Sequence, residues 1–208
     1  MTPIDGGCLR QAETQAMSKL APVHIETSRT YLRPPRVEDA QILNAAIAES
    51  YAEIKPWIPW AKSPPSVEDS TVYCRESIEK FDRHEAFNYL MFSRASDEFI
   101  AGIGVPRLDW AVPMFEIGYW CRTSQVGKGY VAEAVSALSE VCFVDLGAAR
   151  LELRIDALNA RSVAVAETCG YQFESLARHS SRNNAGELCD IKIFSCINAS
   201  ELTGLSTR

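Results

Sequence analysis

The sequence has no apolar run approaching the ~20 residues needed to cross a bilayer; the longest are stretches such as residues 99–105. No membrane partner is therefore expected. Residues 1–22 lack the apolar core of a secretory leader and mix Gly, Gln, Ser and Thr with little periodicity, so they read as a flexible extension, with Met17 an alternative start. Cysteine is odd in number, seven residues at Cys8, Cys74, Cys121, Cys142, Cys169, Cys189 and Cys196. None forms a Cys-x-x-Cys pair, and most are embedded in apolar periodic segments. That excludes a zinc ribbon or a disulfide framework and suits reduced cysteine in a cytoplasmic protein. Histidine is scarce, and His24, His84 and His179 show neither metal nor triad spacing, so they read as structural or surface residues and no metal is expected. Positive charge is also short: 21 Lys and Arg against 27 Asp and Glu leave a formal net charge of −6. This removes a general electrostatic reason to bind nucleic acid, while a basic protein or amine remains a suitable partner.

What is present fits one domain: 208 residues with 47% hydrophobic content can build a real core. Residues 24–33 alternate as a strand stopped by Pro34-Pro35. Residues 37–50 carry Ala40, Leu43, Ala46 and Ile47 at helical spacing. After Trp57-Ile58-Pro59-Trp60, Ser66 and Asp69 form a capping box that opens a second helix with Cys74, Ile78 and Phe81 on one face. Strands over 89–94, 98–108 and 114–121 follow with short connections, which implies an antiparallel meander. A helix from Gly129 to about Leu146 shows Val131, Ala134, Val135, Leu138 and Cys142 as its buried stripe, and Gly147 ends it. Leu151, Leu153 and Ile155 then alternate with charged residues as a strand, Asn159 caps a helix through Cys169, and Gly170 closes it. Two final strands, 171–179 and 188–196, meet across Asn183-Asn184-Ala185-Gly186. The domain spans 23–198, with 199–208 as a tail.

The chemistry concentrates at Gly127-Lys128-Gly129. A helix that opens at a glycine loop presents unpaired backbone N–H groups and the positive end of its dipole, an anion site suited to pyrophosphate. The glycines let the backbone approach phosphate, and Lys128 and Arg122 add positive charge at the rim. Gly127-x-Gly129-x-x-Ala132 also spells a dinucleotide fingerprint, with Asp156 near the end of the next strand. Context excludes that alternative, because about five residues separate strand from glycine and an antiparallel meander precedes them.

Glu116-Ile117-Gly118-Tyr119-Trp120, Gly127-Lys128-Gly129-Tyr130-Val131-Ala132-Glu133-Ala134 and Asn159-x-x-Ser162 ending in Gly170-Tyr171 together resemble the GNAT superfamily of acetyltransferases. Leu32-Arg33-Pro34 and Lys55-Pro56-Trp57-Ile58-Pro59-Trp60 resemble its Rim-type branch, which includes ribosomal-protein-alanine N-acetyltransferases. The resemblance spans residues 24–197. It implies an α+β fold with a mostly antiparallel sheet splayed between its fourth and fifth strands, helices on both faces, and acetyl-CoA as co-substrate. It also implies that the coenzyme lies against Tyr119, Trp120, Cys121, Gln125, Val126, Gly127, Lys128, Gly129, Tyr130, Val131, Asn159 and Ser162. Trp57 and Trp60 become walls of the acceptor pocket.

Two positions depart from the superfamily pattern. Ser124 stands where Arg or Gln usually lies three residues before the first loop glycine, with Gln125 one place late, and Ala166 stands where a Tyr usually protonates the leaving thiolate. Ser162 is the nearest remaining hydroxyl, with Tyr171 in reserve. Glu116 is the candidate base for the acceptor ammonium; its alternative is a solvent-facing strand glutamate. The expected activity is acetyl transfer to a primary amine, foremost a protein or peptide N-terminal α-amine, by a monomer or homodimer. A small-molecule amine acceptor and a non-catalytic acyl-CoA sensor are the alternatives.

Overall fold

The computed structural model describes residues 20–203. The readings that fall on residues 1–19, including Met17 and Cys8, and on residues 204–208 lie outside the described residues. Eight strands form one sheet in the order β1-β2-β3-β4-β5-β6-β8-β7. They are β1 (Ile25–Glu26), β2 (Thr30–Arg33), β3 (Phe87–Ser93), β4 (Phe99–Asp109), β5 (Met114–Cys121), β6 (Arg150–Asp156), β7 (Gln172–Arg182) and β8 (Leu188–Cys196). Four helices pack on it: α1 (Ala40–Ile54), α2 (Val67–Asp82), α3 (Tyr130–Val144) and α4 (Ala160–Thr168).

The strand expected over 24–33 is two strands joined by a turn. The Thr27 N–H donates to the Thr30 carbonyl and the Thr30 N–H donates to Thr27 Oγ1, both at 2.9 Å, so the chain folds back and Ile25 pairs with Leu32. The segment holds no Gly, Pro, Asn or Asp to mark the turn, which is why the sequence reads as one strand. Leu90 and Phe92 of β3 pack with Leu43, Ala46 and Ile47 of α1, while Tyr89 and Met91 pack with Leu138, Val141 and Cys142 of α3. Side chains alternate across a strand, so β3 is buried on both faces with a helical layer over each. Ser66 and Asp69 form the expected capping box of α2, and the Asn159 carboxamide oxygen accepts the Ser162 N–H at 3.1 Å at the start of α4.

All neighbouring strands are antiparallel except β5 and β6, joined through α3 as a parallel crossover. Their pairing covers Met114 to Glu116 against Arg150 to Glu152 and then stops, so from Ile117 onward the edge of β5 facing β6 is open. This is the expected splay between the fourth and fifth strands; with the first strand divided, it falls between β5 and β6. A bulge between Gly104 and Arg107, at Pro106, realigns β4 so that Arg107 lies opposite Glu116.

Residues 199–203, read from the sequence as tail, dock on the fold. Ala199–Glu201 is a 3₁₀ turn, Leu202 is buried, and the Thr203 N–H donates to the Cys169 carbonyl. Gly170 permits this approach: its φ is +86° and a Cβ there would come within 2.2 Å of the Glu201 carbonyl oxygen.

Candidate active site

Three cavities meet around Ile58 and Tyr119. The first, a groove of about 440 Å³, runs between the start of α3, α4 and the open end of β5; its lining includes Cys121, Gly127, Gly129, Val131 and Ser162. The second, about 330 Å³, is polar, and Glu116, Arg107, Asp156, Asn159 and Ser162 line it. The third, about 520 Å³, is apolar and lies between α1, α2 and the β4–β5 face.

The groove begins at the glycine loop that opens α3. Gly127 and Gly129 have φ of +80° and +81°, and a Cβ at Gly127 would meet nothing within 4 Å. Gly129 is the N-cap of α3, and the Glu133 N–H is the first of the helix to bond back, to the Gly129 carbonyl at 3.2 Å. Among the described residues the N–H groups of residues 127–132 donate to no protein acceptor. Open amides, a helix dipole and a cradle free of Cβ atoms fit the pyrophosphate of coenzyme A, and the apolar groove beyond fits its pantetheine arm.

The charge expected at this rim comes from elsewhere. Arg122 is held by Glu49 at 2.7 Å and Glu98 at 2.9 Å, and Lys128 Nζ donates to the buried Gln125 Oε1 at 2.8 Å. Gln125 thus positions Lys128. The residue that sequence reasoning missed is Arg29, in the β1–β2 turn. Its guanidinium lies 4.6 Å from the Tyr130 ring centroid, and Nη1 donates to the Lys128 carbonyl at 2.9 Å. Glu133 receives the Ser28 hydroxyl, the Arg29 N–H and Arg29 Nε, which ties this turn to the first turn of α3. Burial by itself would raise the Glu133 carboxyl, yet its hydrogen bonds with Thr27, Arg29 and Ser28 outweigh it and hold it below the usual carboxylate range. No local signal links positions 29 and 133.

Tyr119 and Trp120 project to opposite sides of β5. Tyr119 lines all three cavities; its hydroxyl donates to the Ser162 carbonyl at 3.3 Å, and burial keeps it firmly protonated. Trp120 packs edge-on to Trp60 at 6.3 Å. Burial pushes the Cys121 thiol up to about 11, so at neutral pH it is a protonated packing group rather than a nucleophile. Glu116 and Ser162 are brought to one cavity, with Glu116 Oε2 3.1 Å from Arg107 Nη1. Trp57 borders the polar cavity and the groove; Trp60 borders the apolar one. Val126 and Tyr130 line the groove.

Ala166 is fully buried in the core, so that position of α4 offers nothing to the groove. Tyr171 is a poor reserve: it is 3% exposed, its hydroxyl is 2.7 Å from Ser139 Oγ, and it lines none of the three cavities. Asn184, read only as a turn residue, reaches across from the β7–β8 hairpin. Its Nδ2 donates to the carbonyls of Lys55 at 2.7 Å and Ile58 at 2.9 Å, and so fixes the segment that carries Trp57 and Trp60. No group of three or more potential metal ligands occurs among the described residues.

An amide-lined helix start, an open strand edge and a carboxylate-bearing recess beside that edge define an acyl-CoA-dependent acyltransferase. The chain belongs to the Acetyltransferase (GNAT) domain family, whose sequence model matches residues 29–172. It is 25% identical over 175 residues to the "Uncharacterized N-acetyltransferase p20" of Bacillus licheniformis, covering 82% of this chain and 94% of that one. Among solved structures, the microcin C7 self-immunity acetyltransferase MccE, in complex with acetyl-CoA and AMP, superposes with a TM-score of 0.79 at 22% identity over 86% of this chain and 99% of that one. A putative ribosomal-protein-serine acetyltransferase from Vibrio cholerae gives 0.72 at 25% identity over 86% and 99%. RimL, a ribosomal L7/L12 alpha-N-protein acetyltransferase in complex with coenzyme A, gives 0.77 at 20% identity over 87% and 99%. The shared fold is the mixed α+β GNAT architecture, and the chain is an acetyl-CoA-dependent N-acetyltransferase.

Proposed function

We propose that the protein acetylates the α-amine of a protein or peptide N-terminus, in the manner of the Rim-type branch. The observation that carries this is the convergence of Glu116 and Ser162 on the cavity that adjoins the coenzyme groove at Tyr119. Coenzyme A lies with its pyrophosphate at residues 127–131 and its pantetheine along the open edge of β5, where strand N–H groups polarise the thioester carbonyl. The acceptor enters the polar cavity as an ammonium and loses a proton to Glu116, directly or through water, which passes it to solvent. The neutral nitrogen attacks the carbonyl carbon, the C–N bond forms, and the C–S bond breaks with its electron pair on sulfur. The remaining excess proton on nitrogen reaches the thiolate by way of the Ser162 hydroxyl, giving amide and free thiol. Trp57 walls the acceptor, whereas Trp60, expected beside it, faces the apolar cavity instead.

Magnitudes favour the α-amine. With a pKa of ~7.7–8.0 it is substantially neutral near pH 7.5, whereas a lysine amine at ~10.4 costs about 4 kcal/mol to deprotonate. The likeness to the Vibrio cholerae protein and to RimL supports a protein acceptor. A thiol-release assay with acetyl-CoA over a panel of N-terminal peptides, lysine peptides and small amines tests the reading. N-terminal peptides should be turned over fastest; preference for a small amine would move the acceptor class, and no turnover with any amine would leave a coenzyme-binding protein without transfer.

A further inference from the structure

We infer that the apolar cavity between α1, α2 and the β4–β5 face is an acyl-chain pocket, and that the enzyme accepts hydrocarbon acyl groups longer than acetyl. The inference rests on the acyltransferase reading above and extends it to the donor. At the moment of addition the reacting carbon carries sulfur, oxygen, the attacking nitrogen and the acyl substituent. Oxygen needs only hydrogen-bond donors, but the other three each need a path away from the carbon. Three cavities meet at Ile58 and Tyr119, one with the amide-lined helix start and one with Glu116. Coenzyme takes the first and the cationic amine the second. The third lies open to the acyl substituent.

The floor of this cavity is built by omission. Gly104 of β4 pairs with Gly118 of β5, and Gly102 pairs with Trp120, so three glycines face the same side of two adjacent strands. At Gly102 the space a Cβ would take is filled by the Trp120 indole, whose Nε1 would lie 2.5 Å away, and at Gly104 by Asn88 and the Phe87 carbonyl, so of the three only Gly118 leaves its space to something else. A Cβ on Gly118 would meet nothing nearer than Pro106 Cγ at 3.7 Å, so the space above it is real. Leu43, Tyr73 and Trp60 wall that space. At about 520 Å³ it is far larger than an acetyl methyl requires, a group comparable to one water with its ~30 Å³ share of liquid volume. The polar side chains at its margin are already engaged: Asp69 in the cap of α2, Ser70 with the Ser66 carbonyl at 3.2 Å, and Asn88 with Ser77 at 3.2 Å. A hydrocarbon chain therefore fits where a dicarboxylic acyl group would bury an uncompensated charge. The bond changes are those of acetyl transfer, with only the acyl substituent altered.

Affinities of acetyl-, butyryl- and hexanoyl-CoA, measured by calorimetry without acceptor, test the inference. Each buried methylene should tighten binding about three- to fourfold at most, so hexanoyl-CoA should bind at least ~10-fold more tightly than acetyl-CoA. Gly118→Val, which projects two methyl groups over the floor, should collapse that ratio. Equal or falling affinity along the series in the natural protein overturns the inference and gives the cavity to the acceptor, whatever the fate of the variant. A ratio that survives intact in folded Gly118→Val overturns it too. Acetyl-CoA binding with a flat series sinks this inference alone; binding of no acyl-CoA at all sinks the coenzyme assignment with it.

Discussion

Asn184→Ala isolates the contact on which the shape of the active site depends. The side chain makes two hydrogen bonds, to the Lys55 carbonyl in an exposed setting and to the Ile58 carbonyl in a partly buried one. Net values run about 0.5–1.5 kcal/mol per bond, so the exposed one is placed near ~0.5 and the buried one near ~1. Their loss weights the released state of residues 55–60 by about 1.5 kcal/mol, or roughly tenfold. Because Trp57 and Ile58 border both the polar cavity and the coenzyme groove, kcat/KM for the acceptor at saturating acetyl-CoA should fall up to about tenfold. Global stability should change little, because the opening is local: less than the ~2–4 °C in Tm that 1 kcal/mol produces in a domain of this size. Asn184→Asp should be worse than the alanine variant, since a carboxylate would face two carbonyl oxygens it cannot donate to. Activity within twofold of the natural protein in both variants would refute the clasp. A fall of more than about 5 °C in Tm with activity per folded molecule retained would make Asn184 a stability residue only.

Gly127→Ala should weaken coenzyme A binding, read by calorimetry, because the left-handed backbone costs about 1–2 kcal/mol with an L side chain and the new methyl enters the phosphate cradle; unchanged affinity would remove this loop from the coenzyme site. Glu116→Gln should lower turnover about 100-fold or more with coenzyme affinity retained, most strongly below the acceptor's own pKa of ~7.7–8.0, and a natural pH–rate profile would make Glu116 structural. Ser162→Ala should reduce turnover by ~10–100-fold, and full turnover per folded molecule would leave water as the proton source. Asp39 accepts both Arg33 Nη atoms at 2.7 Å and the Arg36 N–H at 2.6 Å; burial by itself would raise its carboxyl, but these bonds outweigh it and depress it. Its stabilisation is therefore complete above the unfolded value of ~3.9 and fades as pH falls through the lower folded value. Urea unfolding of Asp39→Asn should show lower stability at pH 7 and a flatter profile below pH ~4, and parallel profiles would dismiss the linkage.

The sequence by itself determined what is local. The Ser66–Asp69 cap, the Asn159 cap and the positive-φ glycines at 127, 129 and 170 depend on spacings of one to three residues and on backbone demands that few residue types meet, so they are written in neighbouring positions. The run from Glu116 to Val131 is legible for the same reason: strand, glycine loop and helix follow one another along the chain. Tertiary structure alone decided the rest. The turn at Thr27 is hidden because no Gly, Pro, Asn or Asp marks it, and Arg29 comes to Lys128 and Glu133 only when the sheet closes across about a hundred residues. Asn184 reaches Lys55 and Ile58 across a comparable gap. Gly102, Gly104 and Gly118 come to one face only through the pairing of β4 with β5. Such contacts involve no periodicity and no fixed spacing, because the energy that selects them comes from burial and hydrogen bonding between segments whose separation along the chain is arbitrary.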